Sequence, residues 1–437
     1  MHIGIIGGGL MGVTLAYYLT QAGEQVTLLE QGPTLGGLNG ALAFSDGLAV
    51  ARYQHAILPN DRAVRKLCSE LHIEQEFVMQ DAYSGFVHRS KVYALSNISD
   101  FLAFPPLSML DRVRLGRTIL QARRRDWRGL DQVPVQKWLE DAGGKTIFNL
   151  IWQPLLEAKF DGEYAHIPAT YIWAWINRMT SIRRLPQLKG RIGYLRRGHF
   201  SLIQALSEAV VKQGGTVKNP VRVREIDISG GRVQQVRTHT GAMQFDAVIA
   251  AIATPSFAHL IPGADASYLA QLSQSKYLGL ICPVMVLDRP LTSYWTLNLT
   301  DPTSPFSTII ETVHPEHESY HIVYLPKYTS PDNDWMGVPD ETIREAWLTH
   351  LKQLFPDFRE EQIKHFAVSR SRYVEPVYAT HSSANRLRVQ TPYTGLFLAN
   401  TAQVYPELPT SEATIIHAQQ VARQIRSSLN GGSPAVE

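Results

Sequence analysis

The opening stretch "HIGIIGGGLMGVTLAYYLTQAGEQVTLLEQ" leaves few folds open. Ile3, Ile5 and Ile6 have the length of a buried strand, and Leu10, Val13, Ala16, Tyr17 and Leu19 then recur at helical spacing until Gly23. "QVTLLE" reads as the next strand. Between the first strand and the helix stands Gly7-x-Gly9-x-x-Gly12. In such a unit the first glycine permits a tight turn, the second lets backbone N–H groups approach a pyrophosphate, and the third admits close helix–strand packing. The helix N-terminus adds partial positive charge. Glu30, 18 positions after Gly12, ends the second strand, where a carboxylate accepts hydrogen bonds from a ribose diol. Together these features predict dinucleotide binding; a glycine turn that merely packs is the alternative.

A chain of 437 residues with 44% hydrophobic residues can divide its core among two or three structural units. A formal charge of +3 is too small for that size to point to nucleic acid as a partner. Cys68 and Cys282 lie far apart with no ligand spacing around them, so neither a metal site nor a disulfide framework is expected. The first residues lack the pattern of a signal peptide, and no apolar run reaches the roughly 18 residues of a membrane span. The expected location is cytoplasmic, with peripheral membrane contact left open.

After Glu30 comes "QGPTLGGLNGA", with Gly36 and Gly37 just beyond the second strand. This resembles the second glycine pair of the FAD-binding superfamily that includes flavin-containing amine oxidases, protoporphyrinogen oxidase and phytoene desaturases, where the loop wraps the cofactor's pyrophosphate and ribityl region. Relatives flank the pair with arginines. Here Thr34-Leu35 precede and Leu38 follows, a change that keeps backbone contacts but removes a side-chain clamp on the phosphates.

Two later blocks extend the resemblance. Phe200, Leu202, Ile203, Leu206, Ala209 and Val210 predict a helix closed by Gly214-Gly215; strands follow around the turn Ser229–Gly231, and "AVIAAIA" reads as a short buried strand. The resemblance returns the chain here to the FAD domain, with the backbone of Val223 approaching the adenine. In "GLFLANTAQVYPELPTSEATIIHAQ" a strand from Leu396 to Ala399 is followed by a helix beginning near Ser411. By resemblance its N-terminus points at the flavin, capped by Thr410 or Ser411 with Glu412 in the first turn. That positive end favours the anionic reduced ring by about 0.3–1 kcal/mol. Many relatives place an acid after the strand to bind the ribityl chain; Asn400-Thr401 stand here instead, with side chains able to hydrogen-bond a hydroxyl.

The implied fold is α/β: a Rossmann-like FAD-binding domain of the glutathione-reductase type with an inserted α+β substrate domain. Residues 1–85, 190–265 and 370–437 would form the first, and 86–189 and 266–369 the second, as a helical lobe and a sheet lid. FAD is expected to be non-covalent, because neither cysteine lies in the terminal block where some relatives tether the ring. No second GxGxxG follows a strand, so a separate NADPH-reducing domain is not expected. The implied activity is two-electron oxidation of a C–N or C–C bond in a small organic substrate, an apolar one included.

A rival reading is a nucleotide-sugar mutase using reduced flavin as a nucleophile. It needs arginines gathered on a diphosphate, for which Arg178, Arg183, Arg184, Arg191, Arg196 and Arg197 are available. A scaffold without turnover is a third. No catalytic residue is singled out: Lys276 and Lys327 lack a motif, and His55, which resembles a flavin neighbour in some relatives, also suits a structural role. The first insertion is aromatic, with Trp138, Trp152, Trp173 and Trp175, and the stretches "IWAWINR" and "YWTLNL" suit either core or a substrate slot. In "FLAFPPLSMLDRVRLGRTILQARRRDWRG", apolar residues from Phe101 and Leu102 onward alternate with Arg112, Arg114, Arg117, Arg123, Arg124 and Arg125. The pattern fits either a solvated arginine face or a helix lying on an anionic bilayer.

Overall fold

The computed structural model describes residues 1–89, 91–96, 100, 103–180, 190–301, 303–314 and 319–429. Its organising element is a five-stranded sheet in the spatial order Leu396–Leu398, Ala247–Ala250, His2–Ile6, Gln25–Leu29, Thr216–Lys218. Every neighbouring pair is parallel, so the start, middle and end of the chain share one sheet. The inner strands are apolar on both faces, which is stable only when layers cover both sides. Helices Leu10–Gln21, His199–Lys212 and Ser411–Leu429 supply one layer, with Leu15, Leu206 and Ile415 packed in one cluster with Ile3 and Ile5. On the other face Ile6, Leu29 and Val248 meet Val236 of the antiparallel meander Val223–Ser229/Arg232–Thr238/Gly241–Met243, and Phe257.

A second, eight-stranded sheet is built on Lys276–Leu287 paired along its length with Ile363–Val377. Here the structure differs from the expected helical start of the first insertion. Ser84–His88 and Lys91–Ala94 form a hairpin at the edge of this sheet, joined through Thr296–Leu299. The reason is two-sided burial: Phe86 enters the core of the helical lobe and its neighbour Val87 enters the core on the opposite side of the sheet. Trp138 and Trp152, 5% and 4% exposed, belong to the core of the helical lobe. Phe101, Leu102, Arg183 and Arg184 lie outside the described residues.

Candidate functional site

The loops that leave the carboxyl ends of the parallel strands gather at one edge of the sheet, the edge at which ligands bind in open α/β sheets. Gly7 adopts φ +109°, and a Cβ there would stand 2.7 Å from the Ala251 carbonyl oxygen. A Cβ on Gly12 would stand 1.9 Å from the Gly7 oxygen, so both glycines are required by the turn and its packing. Gly9 is different. A Cβ there would meet only the Gly36 oxygen, at 4.0 Å, so internal packing does not demand glycine and the backbone lies open to close approach. The helix behind it enters without a side-chain cap or an acid in its first turn, an arrangement suited to an anion.

The two glycine turns are stitched together. Gly36 N–H donates to the Gly8 oxygen at 2.8 Å, and Gly37 follows with φ +55°. The Glu30 carboxylate accepts from Gly8 N–H at 2.7 Å and from Gly32 N–H at 2.6 Å, fastening both loops while each oxygen keeps a second lone pair. Val221 N–H donates to the Glu30 oxygen at 2.7 Å, which brings the strand beginning at Val223 alongside; the Val223 side chain is buried behind Glu30 with Leu29.

Arg52 is the residue missed in the sequence. Its guanidinium reaches the Gly37 oxygen at 3.4 Å, and its backbone N–H donates to the Gly40 oxygen at 2.9 Å. The hairpin Ala41–Ala43/Ala49–Ala51 folds it back beside the glycine pair. Asp46-Gly47 between two apolar runs was the available hairpin signal. An arginine therefore stands at this turn although none flanks it in sequence.

At the other side of the edge, the Thr410 hydroxyl accepts from Ala413 N–H at 3.2 Å and caps the terminal helix that Ser411 opens. Glu412 instead accepts from Ala63 N–H and Val64 N–H, both at 2.9 Å, capping the helix Arg62–Glu70. Burial raises its pKa, against the pull of those two bonds. Asn400 is drawn into the scaffold: its amide donates to the Ile252 oxygen at 3.0 Å and Thr254 Oγ1 at 3.1 Å, and its oxygen accepts from Ala402 N–H at 3.0 Å. The Thr401 carbonyl accepts from the Tyr378 hydroxyl at 3.0 Å.

From Asn400 the chain runs against the helical lobe. The Tyr405 hydroxyl is hydrogen-bonded to the Asp131 carboxylate and, at 2.7 Å, to Thr170, while Asp131 also accepts from Ser383 at 2.6 Å. Burial, then the neighbouring Asp131, pushes the Tyr405 phenol above its ordinary range, so it stays protonated. The Tyr378 and Tyr405 rings lie 4.7 Å apart and border a cavity of about 580 Å³ that extends to Phe160, Ile167, Lys276 and Leu278. That volume is in the range of small-molecule sites. Nearby, Lys159 pairs with Glu375 and lies 3.4 Å from the Tyr328 ring centroid. Burial opposes its charge, but Glu375 outweighs that and holds the ammonium above the usual lysine range.

His55 Nε2 lies 3.1 Å from the Leu38 carbonyl oxygen, directly after the glycine pair, and its ring is 4.9 Å from that of His199. Burial lowers both pKa values, leaving neutral imidazoles at pH 7. His199 Nε2 has no partner among the described residues. Lys276 is exposed at the cavity mouth, and Lys327 borders a separate pocket with Asp161 and Asp301. Of the arginines available to the mutase reading, Arg178 makes a two-pronged pair with Asp61 at 2.8 and 2.9 Å, Arg197 pairs with Glu76 at 2.9 Å, Arg191 faces Asp81 at 3.9 Å, and Arg196 borders a pocket with Arg197. Among the described residues no group of acids, histidines and cysteines could hold a metal ion, and no helix is long and apolar enough to cross a membrane.

Comparison with known proteins follows this geometry. A short stretch is 61% identical over 36 residues to D-amino acid dehydrogenase of Methylobacterium radiotolerans, spanning 8% of this chain and 9% of that protein. The 15-cis-phytoene desaturase of Synechococcus elongatus is 23% identical over 387 residues, spanning 82% of this chain and 80% of the desaturase. Among solved structures, cyclohexylamine oxidase of Brevibacterium oxydans superposes with a TM-score of 0.70 at 14% identity, over 98% of this chain and 99% of that one. Reduced UDP-galactopyranose mutase superposes at 0.75 with 13% identity, over 98% and 96%. These likenesses carry the fold. Residues 10–426 match the model of the flavin containing amine oxidoreductases, and the chain belongs to that family of FAD-dependent oxidoreductases.

Proposed function

We propose that this protein oxidises a small organic molecule at a C–N or C–C bond, with FAD bound non-covalently along the carboxyl edge of the parallel sheet. Gly7, Gly9, Gly12, Gly36 and Gly37 would line the pyrophosphate, Glu30 the ribose, Val223 the adenine, and Asn400 and Thr401 the ribityl side. Thr410 and Ser411 would present the helix terminus to the ring. The observation that carries the reading is the meeting of the open Gly9 turn and the capped terminal helix at one edge, with a tyrosine-bordered cavity beside it. FAD, when bound, supplies the two-electron acceptor, so no protein nucleophile is required. The protein's part is to orient the substrate in the cavity that Tyr378 and Tyr405 border and to exclude water. Their hydroxyl protons are already given to the Thr401 carbonyl and the Asp131 carboxylate, so the two tyrosines offer fixed ring surfaces rather than bases.

Residues 1–85, 190–265 and 370–437 would serve the cofactor, and 86–189 and 266–369 the substrate. Non-covalent attachment is supported by the cysteines: burial pushes Cys68 to about 11 and Cys282 to about 12, and neither adjoins the terminal loop. Acid precipitation should release all of the flavin into the supernatant. Anaerobic reduction of the bound flavin by an amine or a polyene would support the oxidase reading. Reduction by neither, with nucleotide-sugar binding confined to the reduced protein, would overturn it in favour of the mutase; Arg178 and Arg197, each already paired with a carboxylate, weigh against that outcome.

A further inference from the structure

The helix Met109–Ala122 presents an apolar surface that the fold does not use. Leu110, Val113, Met109 and Leu120 are 71%, 65%, 63% and 59% exposed, the four most exposed large apolar side chains among the described residues. At 100° per residue Met109, Val113 and Leu120 lie within one narrow stripe with Leu110 on its flank. Leu115, Thr118 and Ala122 are buried on the opposite side, so the helix is already seated and its outer face has no place in the protein's own core. Charge is concentrated around the stripe. Residues 109–128 hold seven arginines and two aspartates, a net +5 in a chain whose total is +3, so the remainder is net negative. Asp111 and Asp126 pair locally with Arg114 and Arg128. Among the described residues, none of the exposed Arg117, Arg123, Arg124 and Arg125 pairs with a carboxylate.

From this face we infer that the protein docks on an anionic lipid bilayer, with the helix lying in the plane of the headgroups. Apolar side chains at the centre and guanidinium groups around them match the two layers of such a surface, acyl chains below and phosphates above. A protein partner would have to provide carboxylates around an apolar knob, and nucleic acid would meet the leucines before the arginines. Docking has a functional consequence. At the end of this segment Trp127 packs edge-on against Tyr405 at 5.8 Å, and the Arg125 carbonyl accepts from Trp173 Nε1–H at 3.0 Å. The segment that carries the bound face therefore ends against the tyrosine that borders the cavity, on the side from which a substrate dissolved in the bilayer would come.

The test uses the full chain with FAD bound, in co-sedimentation with vesicles of phosphatidylcholine alone and of phosphatidylcholine mixed with phosphatidylserine. Binding to the mixed vesicles only, weakening as salt rises, is expected. Leu110→Ser with Val113→Ser should lower the partition coefficient about tenfold or more. Arg117→Gln and Arg124→Gln should lower it roughly fivefold each at low salt. All four side chains are exposed, so far-ultraviolet circular dichroism and flavin absorbance should not change. Failure to bind mixed vesicles at low salt overturns the inference, as does binding unaltered by the paired serine substitutions and by either arginine substitution. A dimer in light scattering that Leu110→Ser dissociates, with no lipid binding, would assign the face to a second copy and overturn it too. None of these readouts depends on turnover, so the inference and the proposed oxidation fail separately.

Discussion

At the carboxyl edge of the parallel sheet the groups offered to a ligand are mostly backbone; around the cavity beside the helical lobe they are side chains. The first region rests on glycines whose neighbours leave almost no room, such as Gly12, and on carboxylates that fasten loops, Glu30 and Glu412. The second rests on side chains from distant segments: Phe160, Lys276, Tyr378 and Tyr405 border one cavity, Asp131 and Thr170 hold the Tyr405 hydroxyl, and Lys159 pairs with Glu375 nearby. The contrast separates tasks. A cofactor shared by a whole family can be held by main chain, whereas a substrate that differs between members requires groups that substitution can exchange without disturbing the sheet.

The largest expected effect breaks the lobe without touching the cradle. Lys159→Met leaves Glu375 largely buried beside Tyr328 with its charge uncompensated and should cost about 3–5 kcal/mol in urea denaturation. Adding Glu375→Gln should recover most of the loss. A single-variant cost near zero would show that water reaches the pair.

Next come two glycines three residues apart. Gly12→Ala places a Cβ against the Gly7 oxygen and should cost about 1–3 kcal/mol in thermal or urea unfolding. Gly9→Ala has room and should stay within about 0.5 kcal/mol of the parent. It should nevertheless weaken FAD about tenfold or more, as read by flavin released on dilution. If Gly9→Ala kept its flavin, the open turn would not be the pyrophosphate site.

Glu412→Ala should cost about 1–2 kcal/mol, because the Ala63 and Val64 N–H groups lose their acceptor. An equal loss in a variant lacking the helix Arg62–Glu70 contacts would contradict that cap.

The smallest effect is that of pH near neutrality. Burial lowers His417 from 6.5 to about 4, so the unfolded chain takes up its proton first as pH falls. Its contribution is complete above pH 6.5 and is lost progressively as pH falls towards about 4. Between pH 6.5 and 5.5 the loss is at most about 1 kcal/mol. His417→Gln should flatten the melting temperature over that interval; an unchanged slope would assign it to other groups.

Much of the cradle was legible because its information is local. Glycine spacing, a helical repeat and a terminal acid at Glu30 specify backbone directly, and the parallel pairing of His2–Ile6, Ala247–Ala250 and Leu396–Leu398 matches strands readable from short apolar runs. Arg52 escaped because it reaches Gly37 only through a hairpin, and Asn400 looked free because its partners Ile252 and Thr254 are about 150 residues away. The hairpin Ser84–His88/Lys91–Ala94 was hidden by the helical pattern that follows it. The exposure of Leu110 and Val113 was invisible as well, since periodicity shows that a helix is two-sided but not which side the protein buries.

The sequence by itself determined the turns and helix starts that leave three separated strands, because glycine and helix-capping residues act on the backbone within a few positions. The tertiary structure alone decided which side chains face the cavity, which arginines are taken up by acids, and which apolar face remains outside. Those outcomes depend on contacts between residues hundreds of positions apart, where burial energy is shared among many partners and no local pattern records it.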